Sequence, residues 1–75
     1  MGDLPEPRFV NYLEVGFSEA EFLLVFGQSF NAAGEPMLHT RLVTTPTYAR
    51  EFGRLLVKSA EAFEREYGRI QGSAD

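Results

Sequence analysis

The sequence predicts an α+β domain: a three-stranded antiparallel β-meander followed by one long C-terminal amphipathic helix, the whole paired with a second copy of itself. Three observations lead there. Three short apolar runs, separated by polar or glycine-containing breaks, occupy the first 45 residues. One pattern of helical period, with a start signal and a stop signal, occupies the remainder. The chain has 75 residues and no cysteine, and a chain of that size buries only about 60% of its unfolded surface when folded alone. Small domains add disulfides, a metal or a second subunit. Without cysteine, disulfides and thiolate metal sites are both excluded, and the single His39 provides no nitrogen pair for a metal. Oligomerisation is the supplement that remains, and no cofactor is expected.

Residues 1–8 contain two prolines and two acids and read as a flexible lead-in. The domain then covers 9–70, and 71–75 read as a disordered tail. Phe9 to Val15 is rich in aromatic and aliphatic residues and reads as the first strand, ended by Gly16 and Ser18-Glu19-Ala20. The run Phe22-Leu23-Leu24-Val25-Phe26 admits two readings. Ser18 and Glu21 have the form of a helix capping box, and the four-residue spacing of Phe22, Phe26 and Phe30 fits both periods. The shortness of the run and Gly27 at its end favour a strand. Asn31 to Pro36 is a polar loop, and Met37 to Val43 is the third strand.

The helix has the clearest signals. Thr45 can cap it, Pro46 suits the first helical position, and Gly68 is placed to end it in a left-handed conformation. At 100° per residue, Tyr48, Phe52, Leu55, Leu56, Ser59, Phe63, Tyr67 and Ile70 form one stripe. Arg50, Arg54, Lys58, Glu61 and Arg65 fall opposite. Such a helix is expected to lie on its own sheet.

Geometry then calls for a partner. Strand two is apolar on both sides, with Phe22, Leu24 and Phe26 on one and Leu23 and Val25 on the other. One helix covers one face. A helix from Pro46 to Tyr67 is about 33 Å long, whereas seven strand residues span about 23 Å. Phe63, Tyr67 and Ile70 should therefore overhang and meet a second copy, two-fold homodimers being the commonest assembly. The expected interface is Leu23, Val25, Ser59, Phe63, Tyr67 and Ile70, with Ser59 a small residue at the seam.

Four blocks in order carry a resemblance. They are Phe9, Asn11 and Tyr12; Ser18, Glu21, Phe22, Leu24 and Phe26; Arg41, Leu42 and Val43 followed by Thr45, Pro46 and Ala49; and Phe63, Glu64, Tyr67, Gly68 and Ile70. Together they resemble domain-of-unknown-function family 3467, a family of short uncharacterised prokaryotic proteins, from Phe9 to Ile70. The resemblance implies a strand at 22–26 and a prokaryotic source, and it implies no activity. Val25 stands where the family pattern has an acid, and Arg50 where it has a lysine.

The remaining chemistry-bearing residues read as structural. His39 lies mid-strand with no cysteine and no serine in a nucleophile-elbow context, so it reads as a surface histidine rather than a base. Arg41 is expected to pair with Glu14 or Glu21 across the sheet. Glu61 and Glu64 read as solvated, and Glu66 as lying at the stripe's edge. Gly53, mid-helix, reads as close packing or tolerance. The row Arg50, Arg54, Lys58 and Arg65 could follow a phosphate backbone. Segment 46–70 nets only +1, however, from five bases and four acids, and segment 1–45 nets −4, from two bases and six acids.

Composition narrows the class. With 44% apolar residues and 13% aromatics the chain is a folding sequence, and its net charge of −4 argues against nucleic acid. No window approaches the roughly 20 apolar residues of a membrane span. The first residues, lacking a basic region and an apolar run, predict no signal peptide, so the cytoplasm is the expected compartment. The expected function is a non-enzymatic homodimeric interaction module, an adaptor or accessory subunit binding itself and another protein. The alternative is a nucleic-acid-associated regulator using the basic helix face.

Overall fold

The computed structural model describes residues 3–30 and 34–72. Part of the expected polar loop (31–33) and most of the expected tail (73–75) lie outside the described residues. Three antiparallel strands, β1 (Tyr12–Phe17), β2 (Phe22–Gln28) and β3 (Met37–Thr44), form one sheet in the order β1-β2-β3, and α1 (Pro46–Tyr67) follows. The predicted meander and helix are both present, and residues 22–26 are strand.

The hairpin between β1 and β2 explains the ambiguity of that segment. Ser18 does cap, but it caps a turn. Its Oγ accepts from the amides of Ala20 at 3.1 Å and Glu21 at 3.3 Å. Its own amide donates to the Glu21 carbonyl at 2.9 Å. Ser and Thr hydroxyls satisfy turn amides by the same local geometry they use at helix starts, so the capping-box spelling fits either. Phe17 and Phe22 pair directly above the turn, with ring centroids 5.5 Å apart.

The first strand begins and ends later than expected. It runs through Gly16, which faces Leu23 across the ladder. At its other end, the side chain of Asn11 acts as a substitute peptide. Oδ1 accepts from the Ser29 amide at 2.7 Å and Nδ2 donates to the Ser29 carbonyl at 3.0 Å. That closes the sheet before Phe9 and Val10, which look like strand by composition but have no ladder partner on β2. Instead the chain crosses toward β3, where the Phe9 carbonyl meets His39 Nε2 at 3.1 Å and Arg8 donates to the His39 carbonyl at 3.4 Å.

A bulge offsets β2 and β3: Phe26 pairs with Thr40 and Gly27 with Leu38, leaving His39 as the extra residue. Gly27 is buried because the β3 backbone presses on it. A methyl there would strike the Met37 carbonyl oxygen and lie 3.0 Å from Leu38 Cα.

The helix starts as its signals predict. Thr45 is extended, its Oγ1 accepts from the Tyr48 amide at 3.0 Å, and Pro46 occupies the first turn. At the far end Gly68 has φ 96° and ψ 176°. The positive φ was anticipated, but ψ is extended rather than left-handed helical, a combination essentially confined to glycine.

The expected packing of α1 on its own sheet does not occur. No helix residue is buried, and α1 makes no extended contact with any strand. Among the described residues the hydrophobic core is Leu24 alone, 9% exposed. The radius of gyration, 14.9 Å, exceeds the roughly 11 Å of a compact chain this long. The cause is the junction. Only Thr45 separates β3 from α1, whereas strand-to-helix loops that return a helix to its sheet take about 2–6 residues.

Two substitutions test these local devices by chemical denaturation. Gly27→Ala should destabilise by about 1–3 kcal/mol, through backbone overlap with Met37. Asn11→Ala should cost about 1–2 kcal/mol for two lost hydrogen bonds; no change would mean the Ser29 pairing contributes nothing.

Candidate functional site

Strand pairing sorts the sheet residues into two unlike faces. On one, the rows read Phe17–Phe22–Thr44, Val15–Leu24–Leu42 and Leu13–Phe26–Thr40. No member of these rows is charged, although the segment before β1 brings Glu6 and Arg8 beside Phe26 and Thr40 at one end of the face. On the other, the rows Gly16–Leu23–Val43 and Glu14–Val25–Arg41 place an acid and a base among the aliphatics. Leu23 and Val25, predicted as interface, lie on this mixed face.

Arg41 is not ion-paired with Glu14 or Glu21, contrary to expectation. Glu14 and Arg41 share a row, but β2 lies between their strands and Val25 separates them. Strands are about 4.8 Å apart, so carboxylate and guanidinium stand on opposite edges. Among the described residues the one ion pair is Arg54–Glu51, at 3.7 Å on the exposed helix surface. Glu14 instead accepts a hydrogen bond from the Tyr12 hydroxyl, two residues away on the same face.

The other four predicted interface residues come together. Ser59, Phe63, Tyr67 and Ile70 line one apolar groove at the C-terminal half of α1, beside Leu56 and Ala60. The Phe63 and Tyr67 rings lie 5.0 Å apart. Ile70 reaches the groove through a clasp that periodicity alone does not show. Glu64 accepts the Gly68 amide on its backbone carbonyl and the Ile70 amide on Oε2, both at 2.9 Å. Helical angle alone places Glu64 toward solvent; its bond to the Ile70 amide turns its carboxylate to the end of the helix instead.

The groove is one end of a longer open surface. Along the stripe, exposure runs from 37% at Phe52 to 72% at Tyr67. Total accessible area is 6,789 Å², where a folded monomer of 8.4 kDa shows roughly 4,600 Å². The excess, roughly 2,200 Å² per chain, is on the scale of obligate interfaces.

The basic row is less continuous than its spacing suggests. Arg50, Arg54 and Lys58 border a shallow apolar depression with Ala49, Gly53 and Val57, but Glu61 borders it too and Glu51 engages Arg54. Arg65 lies beyond it. A methyl at Gly53 would meet no atom within 4 Å apart from its chain neighbours and the adjoining helix backbone.

His39 is half-buried and held on both nitrogens. The Phe9 carbonyl can only accept, so Nε2 carries the proton; in the neutral ring Nδ1 then accepts from the Thr40 hydroxyl at 2.7 Å. Among the described residues no three His, Asp or Glu side chains converge as a metal site would require. Among the same residues no helix is long and apolar enough to cross a membrane. Comparison with protein-family models, curated proteins and solved structures finds no match to this chain.

One titration is displaced. The hydrogen bond to Glu14, with smaller contributions from desolvation and the carboxylate's charge, holds the Tyr12 phenol above its ordinary value of 10.0. The neutral phenol is the form the fold favours, so any contribution is present below pH 10.0 and lost as pH rises through the higher folded value. Glu14→Gln should lower the Tyr12 midpoint toward 10.0 in an NMR titration. An unmoved midpoint would show that Glu14 is not the cause.

Proposed function

We propose that this protein is a small, non-enzymatic, cytoplasmic homodimeric interaction module, an adaptor or accessory subunit that acts by binding itself and a further protein. The observation carrying this reading is the excess of total accessible area over what a solitary folded 8.4 kDa chain presents, together with the exposed apolar stripe of α1. Leaving that area wet would forgo the main favourable contribution to folding. A second copy is the simplest cover, because any patch on one chain is matched by its symmetry mate.

The further protein has a natural place to bind. Among the described residues the outer edges of β1 and β3 have no strand beside them, and an extended peptide can add to such an edge through main-chain hydrogen bonds. The motif resemblance to family 3467 fits a small accessory protein of a prokaryote. Nothing in this reading requires a cofactor. Binding of nucleic acid through Arg50, Arg54, Lys58 and Arg65 is the weaker reading, because Glu51 and Glu61 interrupt the row and the sheet segment is acidic.

Light scattering at micromolar concentration should give twice the 8.4 kDa chain mass; a stable single-chain mass rejects the homodimer. Ser59→Leu should raise the dissociation constant about 5- to 150-fold by overpacking the seam, and unchanged sedimentation would remove Ser59 from it. Salt-sensitive retention of duplex DNA or RNA, abolished by Arg54→Glu, would favour the nucleic-acid reading instead.

A further inference from the structure

Resting on the self-association just proposed, we infer that the pair is formed by helix exchange: α1 of each copy lies across the sheet face of the other on which no row carries a charge. One chain carries both halves of a helix-on-sheet layer and cannot join them itself. The helix contributes an apolar stripe centred on Phe52, Ser59 and Phe63. The sheet contributes the rows through Phe22, Leu24 and Phe26, with only Thr40 and Thr44 as polar members. A sheet or helix with one apolar face must bury it against another layer. The one-residue junction at Thr45 directs α1 away from its own strands, and short hinges of this kind favour exchange between copies over closure within one.

Dimensions and area agree with this arrangement. Three strands at about 4.8 Å spacing present a face about 14 Å wide, and a helix with its side chains is about 10–12 Å across. One helix therefore covers one such face. The mixed face, where Glu14 and Arg41 stand, stays toward solvent. Each chain has one helix to offer and one face to fill, so a two-fold pair satisfies both and leaves no open end. A different protein would have to supply a helix for the sheet and also a surface for α1. A second copy supplies both. The excess of roughly 2,200 Å² per chain, derived from the size scaling of folded monomers, leaves room for burial of both the α1 stripe and the sheet face.

The decisive measurement is an isotope-filtered NOE experiment on a refolded mixture of labelled and unlabelled full chains, after light scattering has fixed the mass. Exchange predicts intermolecular contacts from the Phe52 and Phe63 rings to the Val15, Leu24 and Leu42 methyls. A dimer whose intermolecular contacts run only helix to helix, or whose helix-to-sheet contacts arise within one chain, overturns exchange and leaves self-association standing. A single-chain mass overturns both. Independently, inserting a flexible Gly/Ser segment of about six residues between Thr44 and Thr45 should let α1 fold back on its own sheet and reduce the mass to one chain. An insertion variant that stays dimeric with an unchanged dissociation constant counts against exchange.

Discussion

The rest of the structure depends on the junction at Thr45. β3 ends at Thr44 and α1 begins at Pro46, so the turn from strand to helix must be made at one residue. Thr45 manages this by remaining extended while its hydroxyl takes up the Tyr48 amide, and proline follows where no amide hydrogen is needed. These features make the helix start sharp. They also leave it no slack to swing back over the strands, and both the open stripe on α1 and the open face of the sheet follow from that.

The sheet is organised by three small devices. Ser18 ties the hairpin, Asn11 closes the ladder at the opposite end, and Gly27 accepts the close approach of the β3 backbone at the bulge. Together they set the register, and register decides which residues share a face. The result is one face whose rows carry no charge and one with Glu14 and Arg41 in a single row. Had the ladder slipped by one residue on one strand, the acid or the base would have moved onto the apolar face.

Surface chemistry follows the same division. The apolar groove at the end of α1 is completed by Glu64, which folds Ile70 back beside Phe63 and Tyr67. The basic residues lie around the helix from this groove, mixed with the acids Glu51 and Glu61. His39, enclosed by the Phe9 carbonyl and Thr40, joins the segment before β1 to the far strand.

Local signals alone determined the order of the apolar runs, both helix ends and the grouping of Ser59, Phe63 and Tyr67, because capping chemistry and periodicity act within a few residues of chain. The strand at 22–26 and the place of Ile70 were decided by the turn at Ser18 and the bond to Glu64. The offset of the first strand was not legible: Phe9 and Val10 have strand composition, and only the Asn11–Ser29 pairing, 18 positions apart, shows where the ladder stops. The Arg41 partner failed for a similar reason, since which strand is central decides whether two charges can meet. Whether α1 lies on its own sheet was likewise a tertiary matter. The pattern revealed an apolar stripe and an apolar face, but burial depends on direction, and direction came from a connection too short to bring the two together.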